Sequence, residues 1–563
     1  MNRRVKSLLS IVLCIALVLS NIAFADTTSV QPAKYTDIAG NKYEVQIREW
    51  IANGFIKGYP DGNFKPENQI TRSEFMALVN RAYGFTDTMD IKYSDVTKTQ
   101  WYYKDAAIAT KAGFIEGANG KLLPLDNISR QEMAMILSKL TKNEKAVADD
   151  AVINNIIDKD EIAAWSKAAI STAMKNKFFD GFVDKTFKPT EKVTRLEAVV
   201  AIDRAFKSMY KAAYTIQGTY GPATGSETLD GDVVVITPEV TLKNTIINGN
   251  LILRETIGEG NVYLDNIVVK GETIVKGGGA NSIVINNSTL GKIIVIKVGN
   301  TVRIVATGST NIGTVNVGAN AKLEEYELTG TGFNDVLVLN DIPAGANVVF
   351  VGNFGDVGID SPNINVTMAS GTIGSLNLAE TAINTNINLG QHATVTTMTL
   401  DVATNVTGIG TIGTANINVT GTVIQQQPTT VNIPTGVQAT VGGGSATPTP
   451  PPAAGGGGGG TPAVVHVSTI RIAPPTMNLI VNGATGTIIA TVTPNNATDK
   501  TVTWFSSNQN VATVANGVVT PKSAGIAIIT AITVDGNITA TCVVTVASFN
   551  TISNKLEAIF EVE

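Results

Sequence analysis

The chain has 563 residues, a formal net charge of −5 and two histidines, His392 and His466. This length allows three or more domains, and the acidic balance argues against a nucleic-acid partner. Two histidines leave very little for a zinc site or a Ser-His-Asp triad, so we predict no metal, no cofactor and no catalytic residue.

The start of the chain has the features of a secretory signal. A basic stretch precedes an apolar run at 8–19, which is too short to span a bilayer, and Ala23-Phe24-Ala25 fits a cleavage site. We therefore predict a signal peptide at 1–25, export, and no membrane attachment after cleavage. Loss of Cys14 leaves Cys542 alone, so no intramolecular disulfide is expected.

A pattern of hydroxyl, arginine, any residue and glutamate occurs three times, as Thr71-Arg72-Ser73-Glu74, Ser129-Arg130-Gln131-Glu132 and Thr194-Arg195-Leu196-Glu197. Each is a capping box, in which the hydroxyl accepts the N–H three residues on and the glutamate accepts the cap's own N–H. Each box precedes apolar residues at helical spacing, so each predicts the start of a helix. The residues assigned to helix capping are Thr71, Glu74, Ser129, Glu132, Thr194 and Glu197.

An arginine in the first turn of a helix is unusual, because that end of the helix dipole is positive and favours acidic side chains. The arginine recurs as Arg72, Arg130 and Arg195. One interpretation is that free N–H groups, the dipole and the guanidinium converge on an anion such as a carboxylate. The other is that each arginine pairs with a neighbouring acid and only holds the repeats together. The residues alone leave both interpretations open.

The sequence around the boxes repeats as well, giving three units at 35–85, 93–142 and 150–207. Each unit reads as a helix, a glycine turn and a capped helix, and the turn of the first is Gly58-Tyr59-Pro60-Asp61-Gly62. Units of this size cannot bury an apolar face alone, so we predict that they pack on each other.

The repeat region resembles three S-layer homology (SLH) domains. The resemblance is carried by the boxes, by the run from Gly58 to Pro66, and by the recurring Asp and Trp positions. It implies an all-α unit with pseudo-threefold symmetry that binds secondary cell wall polymers, often pyruvylated, attached to peptidoglycan. It also implies grooves between repeats, lined by the box arginine and the glycine-turn residues. On this resemblance, carbohydrate binding is assigned to Arg72, Arg130, Arg195, Asp37, Asp95, Gly58, Tyr59, Gly117, Gly181, Phe182 and Trp101.

The three grooves are not expected to be equal. The turn of the second unit, at Gly117-Ala118-Asn119-Gly120, lacks the aromatic residue and the aspartate of the first. The front of the third unit is the most divergent of the three.

From Tyr214 to about Val441 helical periodicity stops, and short alternating runs of Val, Ile, Thr, Asn and Gly take over. Runs that end in Asn244, Asn266 and Asn287 recur at steps of 22 and 21 residues. Such a period is typical of stacked coils and predicts a β-helix, in which these asparagines would form a ladder. An ordinary β-sandwich is the competing fold.

Enzymes built on β-helices need clustered carboxylates and a basic residue on one face. Arg254 and Arg303 are the only arginines of 214–441. The acidic residues, which we interpret as scattered and without a repeated pair in register, include Asp265, Asp335, Asp356 and Asp360. We therefore predict that the protein is not an enzyme, although the Asn and Thr faces are suited to hold sugars. The alternative is a polysaccharide lyase or hydrolase with its active site in this region.

The segment 442–462 is rich in Pro, Thr and Gly, which predicts a linker. The following 463–547 has short alternating runs bounded by Asn-Gly and Asp-Gly turns. It resembles a bacterial Ig-like domain of group 2, through runs such as Val502-Thr503-Trp504 and Val511-Ala512-Thr513-Val514, and the resemblance implies a small β-sandwich. We expect Trp504 and Cys542 in its core, and we assign no role to the tail at 548–563.

The sequence thus predicts a multidomain secreted protein at the cell wall or S-layer surface. Its SLH-like repeats would attach it non-covalently to a peptidoglycan-linked secondary cell wall polysaccharide. The β-rich remainder would act as a structural or adhesive element, either as part of a surface layer through self-association or in contact with host or environmental glycans.

Overall fold

A computed structural model describes residues 35–143, 146–446 and 465–547, apart from 468, 474–475, 482, 484, 495–496 and 537. The predicted signal peptide, most of the predicted linker and the C-terminal tail lie outside these residues. The chain divides into two compact units, one holding the repeats with the β-rich region and the other holding the C-terminal β domain.

The repeat region is helical, with one pair of longer helices in each repeat and all three capping boxes formed. The box hydroxyls accept the N–H of Glu74, Glu132 and Glu197 at 3.2–3.4 Å, and these glutamates accept the cap N–H groups at 2.8–2.9 Å. The helices are α1 (Glu44–Ala52), α2 (Arg72–Tyr83), α3 (Tyr103–Lys111), α4 (Arg130–Leu140), the short α5 (Asp150–Asn154), α6 (Lys167–Lys175) and α7 (Arg195–Ser208).

A closed ring of backbone hydrogen bonds joins the residues just before the three boxes. The amide of Ile70 donates to Val193 at 3.0 Å, that of Val193 to Ile128 at 2.9 Å, and that of Ile128 back to Ile70 at 3.1 Å. All three side chains are buried in one hydrophobic core that the repeats share. The repeats therefore pack on each other, as the repeat pattern predicts, and form the single pseudo-threefold unit that the resemblance to SLH domains implies.

The β-rich region is a solenoid, which decides between the two folds that the sequence left open. Every strand pair in it is parallel except the last, β21 with β22. Val240 pairs with Val262 and Tyr263 with Val284, so the predicted steps of 22 and 21 residues are the lengths of two coils. Later coils are shorter, since Thr394 pairs with Thr411, which explains why the later runs fit the period less regularly.

The solenoid strands follow the chain in order. They are β1 (Ala212–Tyr214), β2 (Gly218–Tyr220), β3 (Glu227–Leu229), β4 (Val233–Val235), β5 (Val240–Ile247), β6 (Leu251–Leu253), β7 (Val262–Val275), β8 (Val284–Asn286), β9 (Thr289–Val295), β10 (Val302–Gly308), β11 (Asn311–Val317), β12 (Ala321–Leu328), β13 (Gly332–Val338), β14 (Asn347–Ile359), β15 (Asn365–Leu378), β16 (Asn386–Leu400), β17 (Asn405–Gly408), β18 (Thr411–Ile417), β19 (Val423–Ile424), β20 (Thr430–Asn432), β21 (Ala439–Val441) and β22 (Gly444–Ala446).

The predicted asparagines sit at matching corners of successive coils. Asn244, Asn266 and Asn287 all adopt a left-handed backbone, with φ of 52°, 53° and 49°, a conformation that Asn tolerates better than most residues. The side-chain amide of Asn266 donates to that of Asn244 at 2.8 Å, and Asn287 Oδ1 accepts the N–H of Ser309 in the next coil at 3.0 Å. Side-chain bonds along the stack thus reinforce the backbone ladders.

The repeats and the first solenoid coils share a buried contact. Val234 and Ile236 are fully or almost fully buried and belong to the core of the repeats rather than to that of the solenoid. Arg254 is 4% exposed, and its Nη1 donates to the carbonyl of Ala82 at the end of α2, at 3.4 Å. At the other end of the solenoid, β22 folds back on β21 through Gly442 and Gly443.

The C-terminal unit is a small β domain with a core of its own. Cys542 is fully buried there, and Trp504 is partly buried against the core. This unit has three sheets built from the nine strands whose ranges follow. One sheet has two strands, β23 and β26; one has four, in the order β24, β31, β30, β27; and one has three, in the order β25, β29, β28. The strands are β23 (Thr469–Ala473), β24 (Thr476–Ile480), β25 (Gly486–Thr487), β26 (Ile489–Thr493), β27 (Val502–Ser506), β28 (Ala512–Ala515), β29 (Val518–Pro521), β30 (Gly525–Thr533) and β31 (Thr539–Ala547).

Candidate functional site

The first-turn N–H groups of the capped helices are not free, in contrast to the sequence-based expectation of an open anion site at each helix N-terminus. In each repeat the first two amides donate to backbone carbonyls of another repeat, and the third donates to the box hydroxyl. The donors and acceptors are Arg72 to Asp126 and Ser73 to Pro124, both at 2.9 Å, Arg130 to Glu191 and Gln131 to Pro189, both at 3.0 Å, and Arg195 to Asn68 at 2.7 Å and Leu196 to Pro66 at 3.0 Å. Any anion must therefore be met by side chains.

The side chain of Arg72 crosses from the first repeat to the second. Its Nε donates to the carbonyl of Leu122 at 3.0 Å, Nη2 to that of Glu116 at 3.2 Å, and Nη1 pairs with the box glutamate Glu132 at 3.0 Å. The contact with Glu116 places the guanidinium beside Gly117. The structure thus brings together two predicted groove residues from different repeats.

Arg130 makes the equivalent crossing to the third repeat and is more deeply buried, with 2% of its side chain exposed. Its Nε donates to the carbonyl of Phe187 at 2.7 Å and its Nη1 to Glu197 at 2.6 Å. The guanidinium lies over the rings of Phe179, Phe182 and Phe187 at 4.7–5.0 Å. Burial lowers the pKa of Arg130, and Glu197 opposes that change. Among the described residues, Nη2 has no hydrogen-bond partner.

Arg195 closes the cycle by reaching the first repeat. Its Nη2 donates to the carbonyl of Lys57, beside Gly58, and its guanidinium lies over Tyr59 at 4.9 Å and Phe64 at 5.1 Å. Its Nε is buried and has no partner in the part of the chain that the structure describes. Arg195, Gly58 and Tyr59 therefore share one groove.

The predicted aspartates hold the glycine turns, because their carboxylate oxygens accept backbone N–H groups and do not face a ligand. Each accepts two consecutive backbone N–H groups just after the glycine turn, and the third repeat has the same arrangement at a position that the sequence assignment left out. The pairs are Asp37 with Phe64 and Lys65 at 2.6–3.0 Å, Asp95 with Leu122 and Leu123 at 2.8–2.9 Å, and Asp158 with Phe187 and Lys188 at 2.6–2.8 Å. These hydrogen bonds fix the turn against which the arginine packs.

The three turn glycines differ in what excludes a side chain. A Cβ on Gly58 would lie 2.0 Å from the ring of Tyr35, and one on Gly117 would lie 2.4 Å from the carbonyl of Lys121. A Cβ on Gly181 would meet only Met174, at an ordinary 3.6 Å. Close packing therefore requires glycine at the first two positions but not at the third.

The tryptophans of the three repeats do not share one position, because Trp101 and Trp165 precede α3 and α6 whereas Trp50 lies in the last turn of α1. Trp101 and Trp165 are 63% and 54% exposed, whereas Trp50 is buried and donates from Nε1 to Asp203 at 2.8 Å. Gln131, the residue after Arg130, accepts the hydroxyl of Ser166 at 3.2 Å, so Trp165 stands near the groove of Arg130. Trp101 occupies the equivalent position in the second repeat.

Two lysines were missed by the sequence assignment. Lys65 Nζ lies 4.5 Å from the ring of Tyr59, and Lys188 Nζ lies 4.2 Å from the ring of Phe182. Both belong to a Phe-Lys-Pro run, so their recurrence was a signal in the sequence; the second repeat has Leu123 there. The grooves of Arg130 and Arg195 thus combine an arginine, an aromatic ring and a lysine, and that of Arg72 has no such lysine.

No group of three or more His, Cys, Asp and Glu side chains suited to a metal ion occurs within the described ranges. Over the same residues, no helix is both long and apolar enough to cross a membrane.

Family models match both modules that the sequence suggested. The S-layer homology domain matches three times, at 34–76, 92–134 and 158–199, and the bacterial Ig-like domain (group 2) matches at 466–544.

Relatives share the repeat region with this chain and extend well beyond it. Cell surface glycoprotein 1 of Acetivibrio thermocellus is 30% identical over 189 residues, which are 32% of this chain and 8% of that protein. The cellulosome-anchoring protein of the same organism is 27% identical over 159 residues, which are 27% of this chain and 35% of that protein. The chain therefore spans only a small part of the length of these relatives.

Among solved structures, the chitinase ChiW of Paenibacillus sp. FPU-7, described as a cell-surface-expressed multi-modular enzyme, is 27% identical over 47% of this chain and 24% of its own, with a TM-score of 0.27. A score that low does not establish a shared arrangement. The family matches identify the S-layer homology and Ig-like domains, and the parallel strand pairing identifies the solenoid between them. The chain is therefore a protein of the cell wall surface that carries three S-layer homology domains, a β-solenoid and one bacterial Ig-like domain of group 2.

Proposed function

We propose that the three SLH repeats anchor the protein non-covalently to a secondary cell wall polysaccharide that carries pyruvate. We propose further that the solenoid and the Ig-like domain form a structural or adhesive element of the surface layer. The observation that carries the first proposal is the three-fold recurrence of one groove, in which an arginine of one repeat lies against the glycine turn of the next.

The grooves of Arg130 and Arg195 have the chemistry that an acidic sugar requires. Among the described residues, each holds a guanidinium with one buried nitrogen that has no partner, an aromatic ring and a lysine within 4.2–4.5 Å of that ring. Lys65 also pairs with Asp61 at 2.7 Å and Lys188 with Glu191 at 3.4 Å, so the carboxylate of a ligand would share these cations. A pyruvate carboxylate can pair with the cations, while the ring of Tyr59 or Phe182 covers the sugar. The two interpretations of the arginine are therefore compatible, because the same side chain braces two repeats and lies beside the glycine turn of the next.

The lysines provide the cleanest test, since neither donates a hydrogen bond to another repeat. We expect Lys65→Ala/Lys188→Ala to weaken binding to purified wall sacculi about tenfold or more, because charged contacts are worth roughly 1.5–3 kcal/mol each. The matched control removes two exposed lysines outside the grooves, Lys92→Ala/Lys111→Ala, and should bind as the wild type does. The melting temperature should fall by no more than a few degrees in the test variant, because its lysine side chains are 35% and 40% exposed and such ion pairs are worth about 0–1 kcal/mol each. It should stay within about a degree in the control, because exposed substitutions change stability little.

The pyruvate itself is tested with polymer from which it has been removed. The wild type should bind that polymer more weakly, while Lys65→Ala/Lys188→Ala should lose little further affinity. Losses that are independent and additive would show that the lysines and the pyruvate do not meet, and the proposal would then be wrong.

A second candidate function rests on one pair of carboxylates. Asp335 and Asp356 are direct partners in adjacent solenoid strands, a single pair in register where the sequence interpretation had found no repeated pair. Burial, with the nearby charge of Asp356 as a second cause, raises the pKa of Asp335. A carboxyl group with a raised pKa beside a second carboxyl group is an arrangement from which a general acid and base can be built. The alternative proposal is therefore a wall-anchored polysaccharide lyase or hydrolase.

This alternative is tested by assaying the full chain against wall and plant polysaccharides. Release of sugars that is abolished in Asp335→Asn and Asp356→Asn, with unchanged melting, would establish an enzyme. We expect no release from any of these substrates.

A further inference from the structure

The last coils of the solenoid carry no lysine or arginine and few acidic residues. No lysine or arginine occurs between Lys322 and Arg471, and no charged residue of any kind occurs from 402 to 447. Such a surface has nothing with which to bind a polyanion, so it cannot serve the acidic polymer proposed for the SLH grooves. Any partner of these coils must be neutral or nearly so.

One face of these coils carries hydroxyl and amide side chains in two parallel columns. We name it the hydroxyl–amide face; its members are Ser375 and Asn377 in β15, Thr397 and Thr399 in β16, Thr414 and Asn416 in β18, and Thr430 and Asn432 in β20. The residue between the two members is buried in three of these rows, as Leu376, Met398 and Ala415. Seven of the eight members are partly or fully exposed and Thr399 is 9% exposed, so the columns lie on the outside of the solenoid wall, with rows about 4.8 Å apart and columns about 6.6 Å apart.

The face is held rigid by its own bonds and by the core below it. Asn432 donates to Asn416 at 2.8 Å, Asn416 to Thr399 at 3.4 Å, and Asn377 to Ser375 at 2.8 Å. Threonine is also stiff at χ1, because it is branched at Cβ. Side chains that are already ordered lose little conformational entropy on binding, so many weak hydrogen bonds can add up.

The composition of the face distinguishes between partner classes. Protein interfaces concentrate energy in Trp, Tyr, Arg and Met, and none of these residues occurs among the eight members of the face. A neutral polysaccharide instead presents rows of hydroxyl groups, which both donate and accept, and hydroxyl and amide side chains match that pattern.

We propose that the hydroxyl–amide face binds a neutral, extended polysaccharide laid along the solenoid. The proposal rests on the adhesive role proposed above for the solenoid and names its ligand class. It assigns the outward contact to a surface separate from the wall-binding grooves, so that one molecule can hold the wall and a neutral glycan at once.

The test is sedimentation of the full chain with insoluble cellulose and chitin. We expect the wild type to sediment with at least one of them. We expect Thr397→Val/Thr414→Val/Thr430→Val to lose at least about tenfold in affinity. Valine keeps the shape and favours strands, so the fold should be unaffected. The matched control, Thr219→Val/Thr241→Val/Thr367→Val, replaces three threonines of β2, β5 and β15 that lie outside the face, and it should sediment as the wild type does.

Salt separates this contact from the anchoring contact. Binding to the neutral glycan should be unchanged between about 0.05 and 1 M salt, whereas binding to sacculi through charged grooves should weaken. The Lys65→Ala/Lys188→Ala variant should lose sacculi but keep cellulose or chitin, so failure of one proposal leaves the other measurable. No sedimentation with either glycan, equal loss in both threonine variants, or binding abolished by salt would each overturn the proposal.

Discussion

At the scale of single residues, the box arginines show how one side chain serves both stability and a groove. Arg130 is almost fully enclosed and joins Glu197 of the next repeat, whereas Arg72 keeps 11% of its side chain exposed. Glu197 also accepts the cap amide of its own helix, so the ion pair couples a helix start in one repeat to an arginine in another. The energetic weight of the three arginines should therefore differ.

We expect Arg130→Ala to lower the free energy of unfolding by about 3–5 kcal/mol, because breaking a buried pair leaves an uncompensated carboxylate. Denaturant unfolding of the full chain measures this loss. Arg130→Ala/Glu197→Gln should recover part of it, since the stranded charge is gone. A single variant as stable as the wild type would contradict the bracing role.

Glu324 in the solenoid gives a pH prediction of definite sign. Arg303 and Lys322 contact it at 2.9 Å and 2.6 Å and lower its pKa from the ordinary value to about 2. Because the folded pKa lies below the unfolded one, this contribution is present above about pH 4.5 and is lost as the pH falls towards 2. We expect Glu324→Gln to cost about 1–2 kcal/mol at pH 7, after allowance for solvent screening.

The measurement compares the unfolding of wild type and Glu324→Gln at neutral pH and near pH 2. The difference between them should shrink at the acidic end, where the carboxylate is protonated in the unfolded chain and about half protonated in the folded one. A difference that stays constant across this range would refute the assigned ion pairs.

At the scale of elements, α2 is held at both ends by parts of the chain that are distant in sequence. Its start bonds to the second repeat through the amide of Arg72, and its end receives the guanidinium of Arg254 from the solenoid. A cation at the C-terminal end of a helix is favourable, because the unpaired carbonyls carry partial negative charge. Gly84 ends the helix with a φ of 69° directly beneath the Arg254–Glu255 ion pair.

Gly84→Ala should therefore destabilise the protein more than its backbone conformation alone requires. The new Cβ would lie 2.3 Å from Arg254 Nη2 and closer still to the carboxylate of Glu255. Gly113→Ala is the matched control, since that glycine follows α3 with a φ of 77° and has nothing within 4 Å of the added Cβ. We expect the control to cost about 1 kcal/mol and Gly84→Ala to cost distinctly more, as read from thermal unfolding. Equal losses would show that the side chains of Arg254 and Glu255 move away from the added Cβ at no cost.

At the scale of the whole molecule, the repeats and the solenoid are joined by packing and hydrogen bonds as well as by the chain itself. Val234 and Ile236 of the solenoid complete the core of the repeats, and Asn53 donates to the carbonyl of Thr215 at 3.0 Å. The boundary drawn from composition near residue 207 therefore runs through a packed contact. It does not mark a flexible connection.

We expect a fragment of residues 26–446 to bind sacculi as the full chain does, and residues 465–563 not to bind. A fragment of residues 26–207 should melt at a lower temperature than 26–446, because it lacks Val234 and Ile236 and so loses their burial against the repeats, which is worth roughly 1.5–3 kcal/mol each. Sacculus pull-down and calorimetry on the three fragments test this. Equal sacculus binding by the first two would sink the assignment of anchoring to the repeats.

The sequence by itself determined the features that depend on near neighbours. A box such as Thr71 to Glu74 closes within four residues, and alternating runs such as Val240-Thr241-Leu242 define a strand and the face it buries. The period of 21–22 residues then predicted the stack, because each coil must repeat the face of the one before it.

Only the tertiary structure decided the contacts that join distant positions. The partner of Arg130 lies 67 residues away, Arg254 lies 172 residues from the helix it caps, and the register of Asp335 with Asp356 depends on coil lengths that vary along the solenoid. The first-turn N–H groups that were expected to be open are occupied for the same reason. Carbonyls of another repeat reach them only when the three repeats have packed together. Local bonding is encoded in short patterns, whereas pairing across repeats and coils follows from how the buried faces pack together.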